Sequence, residues 1–108
     1  MSEAKSQPEV ANVTAAQIPV VAGEFAKHAL FKADGIEANV FKAKGRVSPL
    51  HAHTYTEMIY VVSGRFRDRG VEVPPGSFVV RRPGEMHEFV AEDEVTLLVV
   101  NVDQRKVA

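Results

Sequence analysis

The sequence predicts an all-β fold, a small antiparallel double-sheet sandwich or closed barrel, on three observations. From Ile18 to Val102, short runs rich in Val, Ile, Phe and Leu recur, broken every several residues by Gly, Pro or Asp. The breaks at Asp34-Gly35, Gly45, Ser63-Gly64, Arg69-Gly70, Pro74-Pro75-Gly76, Pro83-Gly84 and Glu92-Asp93 lie too close together for helices of ordinary length. A length of 108 residues with 45% apolar content suits one compact domain.

Residues 1 to about 16 mix Ser, Glu, Lys, Gln, Pro and Ala without a sustained period. Together with a short apolar stretch at Ile18 to Val21 they make an N-terminal segment, 1–22, expected to be partly mobile or exchanged as a strand with a second copy, ahead of a barrel over 23–108. Phe25 to Lys32 is too short for a helix before Asp34-Gly35 cuts it off, and is expected as a strand or a single turn. Strands then follow at Ile36 to Lys44 and, past Gly45, at Val47 to His53. Glu57 to Ser63 holds the apolar run Met58 to Val62 and stops at Gly64. Arg65 to Asp68 and Val71 to Val73 flank Arg69-Gly70, and Ser77 to Arg81 lies between Gly76 and Pro83. His87 to Ala91 and Val95 to Val102, separated by Glu92-Asp93, complete the set.

Thirteen Lys and Arg against 14 Asp and Glu give a net charge of -1, without the basic excess that carries phosphate-backbone binding, so nucleic acid is not an expected partner. The absence of Cys removes disulfides, thiolate metal sites and Cys nucleophiles together, leaving His and carboxylate as the available metal ligands. Apolar runs such as Met58 to Val62 and Leu97 to Val100 fall far short of the roughly 18 residues of a membrane span, and a cytoplasmic protein without membrane contact is expected. Nothing matches a serine-hydrolase elbow, a phosphate loop or a dinucleotide fingerprint.

Three of the four histidines carry the chemistry. Residues two apart in a strand share a face, so His51 and His53 lean toward one point. Thr54-Tyr55-Thr56 is a short connection that can bring Glu57 to the same point, and His87, just past Pro83-Gly84, can supply a fourth ligand. Three imidazoles and a carboxylate suit one divalent first-row ion, whether Fe, Mn, Co, Ni, Cu or Zn, and in an octahedral shell leave two positions open. His28, outside this set, is expected to be a hydrogen-bonded core residue.

The spacing Gly45-x5-His51-x-His53-x3-Glu57-x6-Gly64, followed by Gly76, Gly84 and His87, resembles the two motifs of the cupin superfamily. The resemblance implies a jelly-roll barrel and makes His51, His53, Glu57 and His87 the metal set. Two positions depart from the pattern: Arg82 stands where Pro is usual, and Ala91 where Asn is usual. Neither is a ligand position. The resemblance further implies a metal-dependent oxygenase of the dioxygenase type, or secondarily an isomerase, acting on a small oxygen-rich or anionic compound. It also implies a homodimer, since cupins commonly cover their exposed sheet edges by packing or strand exchange. A non-enzymatic sensing module is the alternative. The run from Gly64 to Gly70, then Pro75-Gly76-Ser77-Phe78 and Arg82-Pro83-Gly84, is similar to the cupin domain of zinc-binding anti-sigma factors.

Alternation places Ile59 and Val61 on the face of Glu57 and Phe89 on the face of His87, as lining of an apolar pocket around the metal. One of Arg81 and Arg82 must point inward, where it could hold a ligand carboxylate or pair with an acid; Arg81 is included in the lining. Arg65, Arg67 and Arg69 share one face and are expected to mark a solvated edge strand rather than an anion site. Tyr55, Met58, Tyr60, Phe78 and Met86 are expected in the core or the pocket wall.

Overall fold

The computed structural model describes residues 7–13 and 18–105. Nine strands and no α-helix are found among them: β1 Phe25–Ala33, β2 Ile36–Ala43, β3 Arg46–His51, β4 Thr56–Ser63, β5 Phe66–Asp68, β6 Val71–Val73, β7 Phe78–Arg81, β8 His87–Ala91 and β9 Val95–Val102. No helix of the described residues is long and apolar enough to cross a membrane. A five-stranded sheet runs β1-β2-β9-β4-β7 and a four-stranded sheet β3-β8-β5-β6, with every pairing antiparallel. The two sheets face each other without closing into a hydrogen-bonded barrel, which leaves the jelly-roll arrangement as a sandwich. Phe25 to Ala33 is a full strand because Asp34 and Gly35, both at positive φ, form a two-residue turn that pairs Ala33 with Ile36.

Between the sheets lie Ala43, Ile59, Val61, Phe66, Val73, Phe89, Ala91, Val95, Leu97 and Val99, all buried. Each is an inward position of its strand, and full burial of a Val, Leu, Ile or Phe side chain stabilises by about 1.5–3 kcal/mol. Along β9 the inward positions run Val95, Leu97, Val99 and then Asn101, so the packed interior gives way to a polar end. Register continues that polar row across four strands: Glu37 on β2 pairs with Asn101 on β9, Asn101 with Glu57 on β4, and Glu57 with Arg81 on β7.

Several expectations need correction. Ile18 to Val21 forms no strand here, and residues 1–6 and 14–17 of the expected N-terminal segment lie outside the described residues. His28 is exposed on the edge strand β1 rather than in the core, its side pointing away from the opposing sheet. β5 is an inner strand, between β8 and β6, although Arg65 and Arg67 are solvated as expected and paired with Glu72 and Glu92. Tyr60, Phe78 and Met86 are exposed, because Tyr60 and Phe78 occupy the outward positions of β4 and β7.

Candidate metal centre

Three loops and strand ends bring the ligand set together. His51 closes β3, His53 sits in the connection to β4, Glu57 is the second residue of β4, and His87 opens β8. The connection is tied down where the Gly84 N–H donates to the His53 carbonyl at 2.9 Å, so the turn before His87 holds the residue that must meet it. His51 and His87 face each other in the β3–β8 register, with ring centroids 4.3 Å apart, and each lies 4.8 or 4.3 Å from its neighbours in the trio. One ring nitrogen from each of His51, His53 and His87 falls within 4.8 Å of the others. Glu57 stands beside them, Oε2 at 3.9 Å from His53 Nε2 and Oε1 at 3.8 Å from His87 Nε2.

Backbone carbonyls fix two of the rings. The Nδ1–H of His51 donates to the Pro49 carbonyl at 2.7 Å, and that of His87 to the Glu85 carbonyl at 3.2 Å, which assigns the lone pair to Nε2 in both. Tyr55 stacks flat on His53, centroids 4.6 Å apart at 11°. Burial holds His53 below the ordinary histidine value of 6.5, against the pull of Glu57. Burial also lowers His87, reinforced by the Arg81 charge. Both rings are therefore biased toward the neutral form that ligates. The donor set fits a divalent ion of the first transition row in type and number.

Residues 32–105 match the family model described as the ChrR cupin-like domain. The chain belongs to that cupin family. Solved structures agree on the fold. The polyketide cyclase RemF from Streptomyces resistomycificus is 24% identical, with 91% of this cupin and 81% of that chain aligned at a TM-score of 0.74. An RmlC-like cupin from Shewanella frigidimarina is 21% identical over 93% and 95%, with a TM-score of 0.73. A chain of the Rhodobacter sphaeroides SigE complex with the anti-sigma ChrR is 20% identical at a TM-score of 0.68, and the cupin spans 51% of it. No curated protein matches the sequence.

A cavity of about 220 Å³ opens beside the histidines of this cupin, walled by Phe25, Phe41, Ile59, Phe89, Leu97 and Val99. Ile59, Arg81 and Phe89 line it, whereas Val61 is fully buried one step deeper and belongs to the packed core. Arg81 is the inward arginine, 6% exposed, while Arg82 projects to solvent near Glu85. The Arg81 guanidinium pairs with Glu57 through Nη1 and with Asp68 through Nη2, so it is already held by two acids.

Three residues at the site were not singled out as site residues from sequence. Asp68 faces inward on β5 because Phe66 does, and it accepts hydrogen bonds from Arg81, from Arg69 and from the Glu88 N–H. Burial alone would raise its carboxyl, but those three donors outweigh it and hold the group below its usual value. Asn101 carries a buried Oδ1 that finds no hydrogen-bond partner among the described residues. Tyr55, expected only as wall or core, links the cavity to a second, larger one of about 560 Å³ lined by Glu37, Asp34 and Asp103, and both cavities also share Asn101. Burial, with Glu57 and Glu37 nearby, raises the Tyr55 phenol and keeps it a hydrogen-bond donor.

Proposed function

We propose that His51, His53, Glu57 and His87 hold one divalent first-row metal ion per chain, and that this centre serves a metal-dependent oxygenase acting on a small oxygen-rich or anionic compound. The observation that carries the metal is the trio of imidazole nitrogens within 4.8 Å, two of them set by carbonyl-bound Nδ1–H groups. A bound ion would supply Lewis acidity and open coordination positions. The chain's own residues supply the rest. Phe25, Phe41, Ile59 and Phe89 keep bulk water from the ligand, Asn101 offers it an acceptor, and Tyr55 offers a donor at the mouth. Because Arg81 is already engaged, the anchor for an anionic ligand in this reading is the ion itself.

A homodimer is part of the reading. Its support is the outer face of the five-stranded sheet, where exposed Tyr60, Phe78 and Val80 stand in two cross-strand rows, Phe78–Tyr60–Leu98 and Val80–Met58–Val100. A second reading, a non-enzymatic metal- or ligand-sensing module, is favoured by the family match to the ChrR cupin-like domain.

Protein purified without a nickel column and reconstituted with each ion in turn should hold close to one equivalent by elemental analysis. A residue of under a tenth of an equivalent with every ion would refute the metal centre. The Fe(II) form should bind nitric oxide as a surrogate for oxygen and give a high-spin paramagnetic resonance signal. Protein that contains Fe(II) but gives no such signal at neutral pH sinks the oxygenase reading in favour of the sensing module.

A further inference from the structure

Arg81 is the one Arg or Lys lining the histidine cavity among the described residues, and it is held from two sides. Nη1 donates to Glu57 Oε1 at 3.1 Å and Nη2 to Asp68 Oδ2 at 2.8 Å. Asp68 is itself fixed on β5, its Oδ1 accepting from the Glu88 N–H at 3.0 Å and from Arg69 Nε at 2.9 Å. The guanidinium thus hangs on the four-stranded sheet at one fork and grips a residue of the five-stranded sheet with the other. A carboxylate beside a divalent cation can bind through one oxygen or through both. Here the two oxygens stand equally near the imidazoles, Oε1 3.8 Å from His87 Nε2 and Oε2 3.9 Å from His53 Nε2, and are unequal in bonding, since Oε1 takes the charge-assisted bond from Arg81.

We propose that Arg81 is a positioning residue that holds Oε1 of Glu57, so that the carboxylate gives the metal a single oxygen and a coordination position stays open to an outside ligand. This rests on the metal centre inferred above. Burial supplies the grip. With side-chain exposures of 7%, 13% and 10% for Arg81, Glu57 and Asp68, little water is at hand to replace a lost partner, and a released guanidinium fork would be a buried donor with nothing to bind. Charge fits as well. Asp68 has Arg69 as a second partner, so the charge of Arg81 is shared with an acid already matched elsewhere, and Oε2 of Glu57, which takes no bond from Arg81, remains a carboxylate oxygen that a dication can reach.

The test loads the full chain with Co(II) and uses azide as the outside ligand. Arg81→Met should still bind Co(II), but with weaker visible bands as the second carboxylate oxygen joins the ion, and its azide affinity should fall about tenfold, the scale expected for a lost partner of a metal ligand. In a Glu57→Gln background, the same Arg81→Met change should leave the bands unaltered and lose most of its effect on azide. Arg81→Lys, whose single ammonium cannot serve both acids, should fall between wild type and Arg81→Met, and it reads the same quantity if Arg81→Met does not fold. An equal fall in azide affinity in both backgrounds, or none in either, overturns the positioning role while leaving the metal centre intact. A wild-type chain that takes up no Co(II) overturns the metal centre and this role with it.

Discussion

Replacing Gly64 by Ala should cost far more stability than the same change at Gly70, and the difference isolates one backbone contact. Both residues lie in the left-handed region, at φ 73° and 81°, so each substitution carries a conformational cost of about 1–2 kcal/mol. At Gly70 an added Cβ would meet nothing within 4 Å. At Gly64 it would overlap the Glu94 carbonyl oxygen and stand 2.9 Å from the Val95 Cα. Neither atom can rotate away, and Val95 is fully buried at the start of β9, so the turn after β4 must move instead. Overpacking of that kind adds about 1–3 kcal/mol, which puts Gly64→Ala at about 2–5 kcal/mol in all. Urea unfolding followed by far-ultraviolet circular dichroism suits a chain without Trp, and should show a lower midpoint with an unchanged slope. If the two variants lost stability equally to within about 0.5 kcal/mol, the close approach of the β8–β9 turn would not be what requires glycine at position 64.

His53→Ala and His87→Ala should each abolish tight Zn(II) binding in titration calorimetry, while His28→Ala, exposed on β1, should leave it unchanged; equal losses from all three would show that the ligands are misassigned. Because His53 and His87 titrate below 6.5 in the folded chain, the unfolded chain takes up protons first as pH falls. The metal-free protein should therefore lose stability as pH drops below about 6.5, by a falling Tm, and a Tm that is flat between neutrality and the low end of that range would contradict the buried, neutral rings. Light scattering at micromolar concentration should report twice the chain mass, and Phe78→Asp, on the outer sheet face, should lower it; a monomeric wild type refutes the dimer.

The ligand spacing was legible because the ligands lie close in the chain, but the shared strand face expected for His51 and His53 is not what joins them: β3 ends at His51, and His53 reaches the same point from the connection to β4, which Gly84 ties down. The inward Arg81 followed from strand alternation, but its partners did not. Asp68 was signalled by its place in step with Phe66, and Asn101 by its place in step with Val95, Leu97 and Val99; which acid an arginine meets across two sheets depends on register that no short stretch encodes. Tyr60 and Phe78 were misjudged for the opposite reason, since aromatic side chains read as interior unless the face they occupy is known.

The expected ligands are divided between layers, His51 and His87 on the four-stranded sheet and Glu57 on the five-stranded one, with Asp68 and Arg81 spanning the same gap. An ion bound there would work as a clasp across the mouth of the sandwich. Linkage then ties occupancy to how often the mouth gapes: at a thousandfold excess of free ion over Kd the clasp resists opening by about 4.1 kcal/mol. Amide exchange at the Glu57 end of β4 and the His87 end of β8 would slow together on loading, while the core ends of the same strands, at Val61 and Ala91, stay shut in either state. Whatever rests on the outer faces would then feel a stiffer or a looser platform according to metal supply, with no change in the shape of the fold.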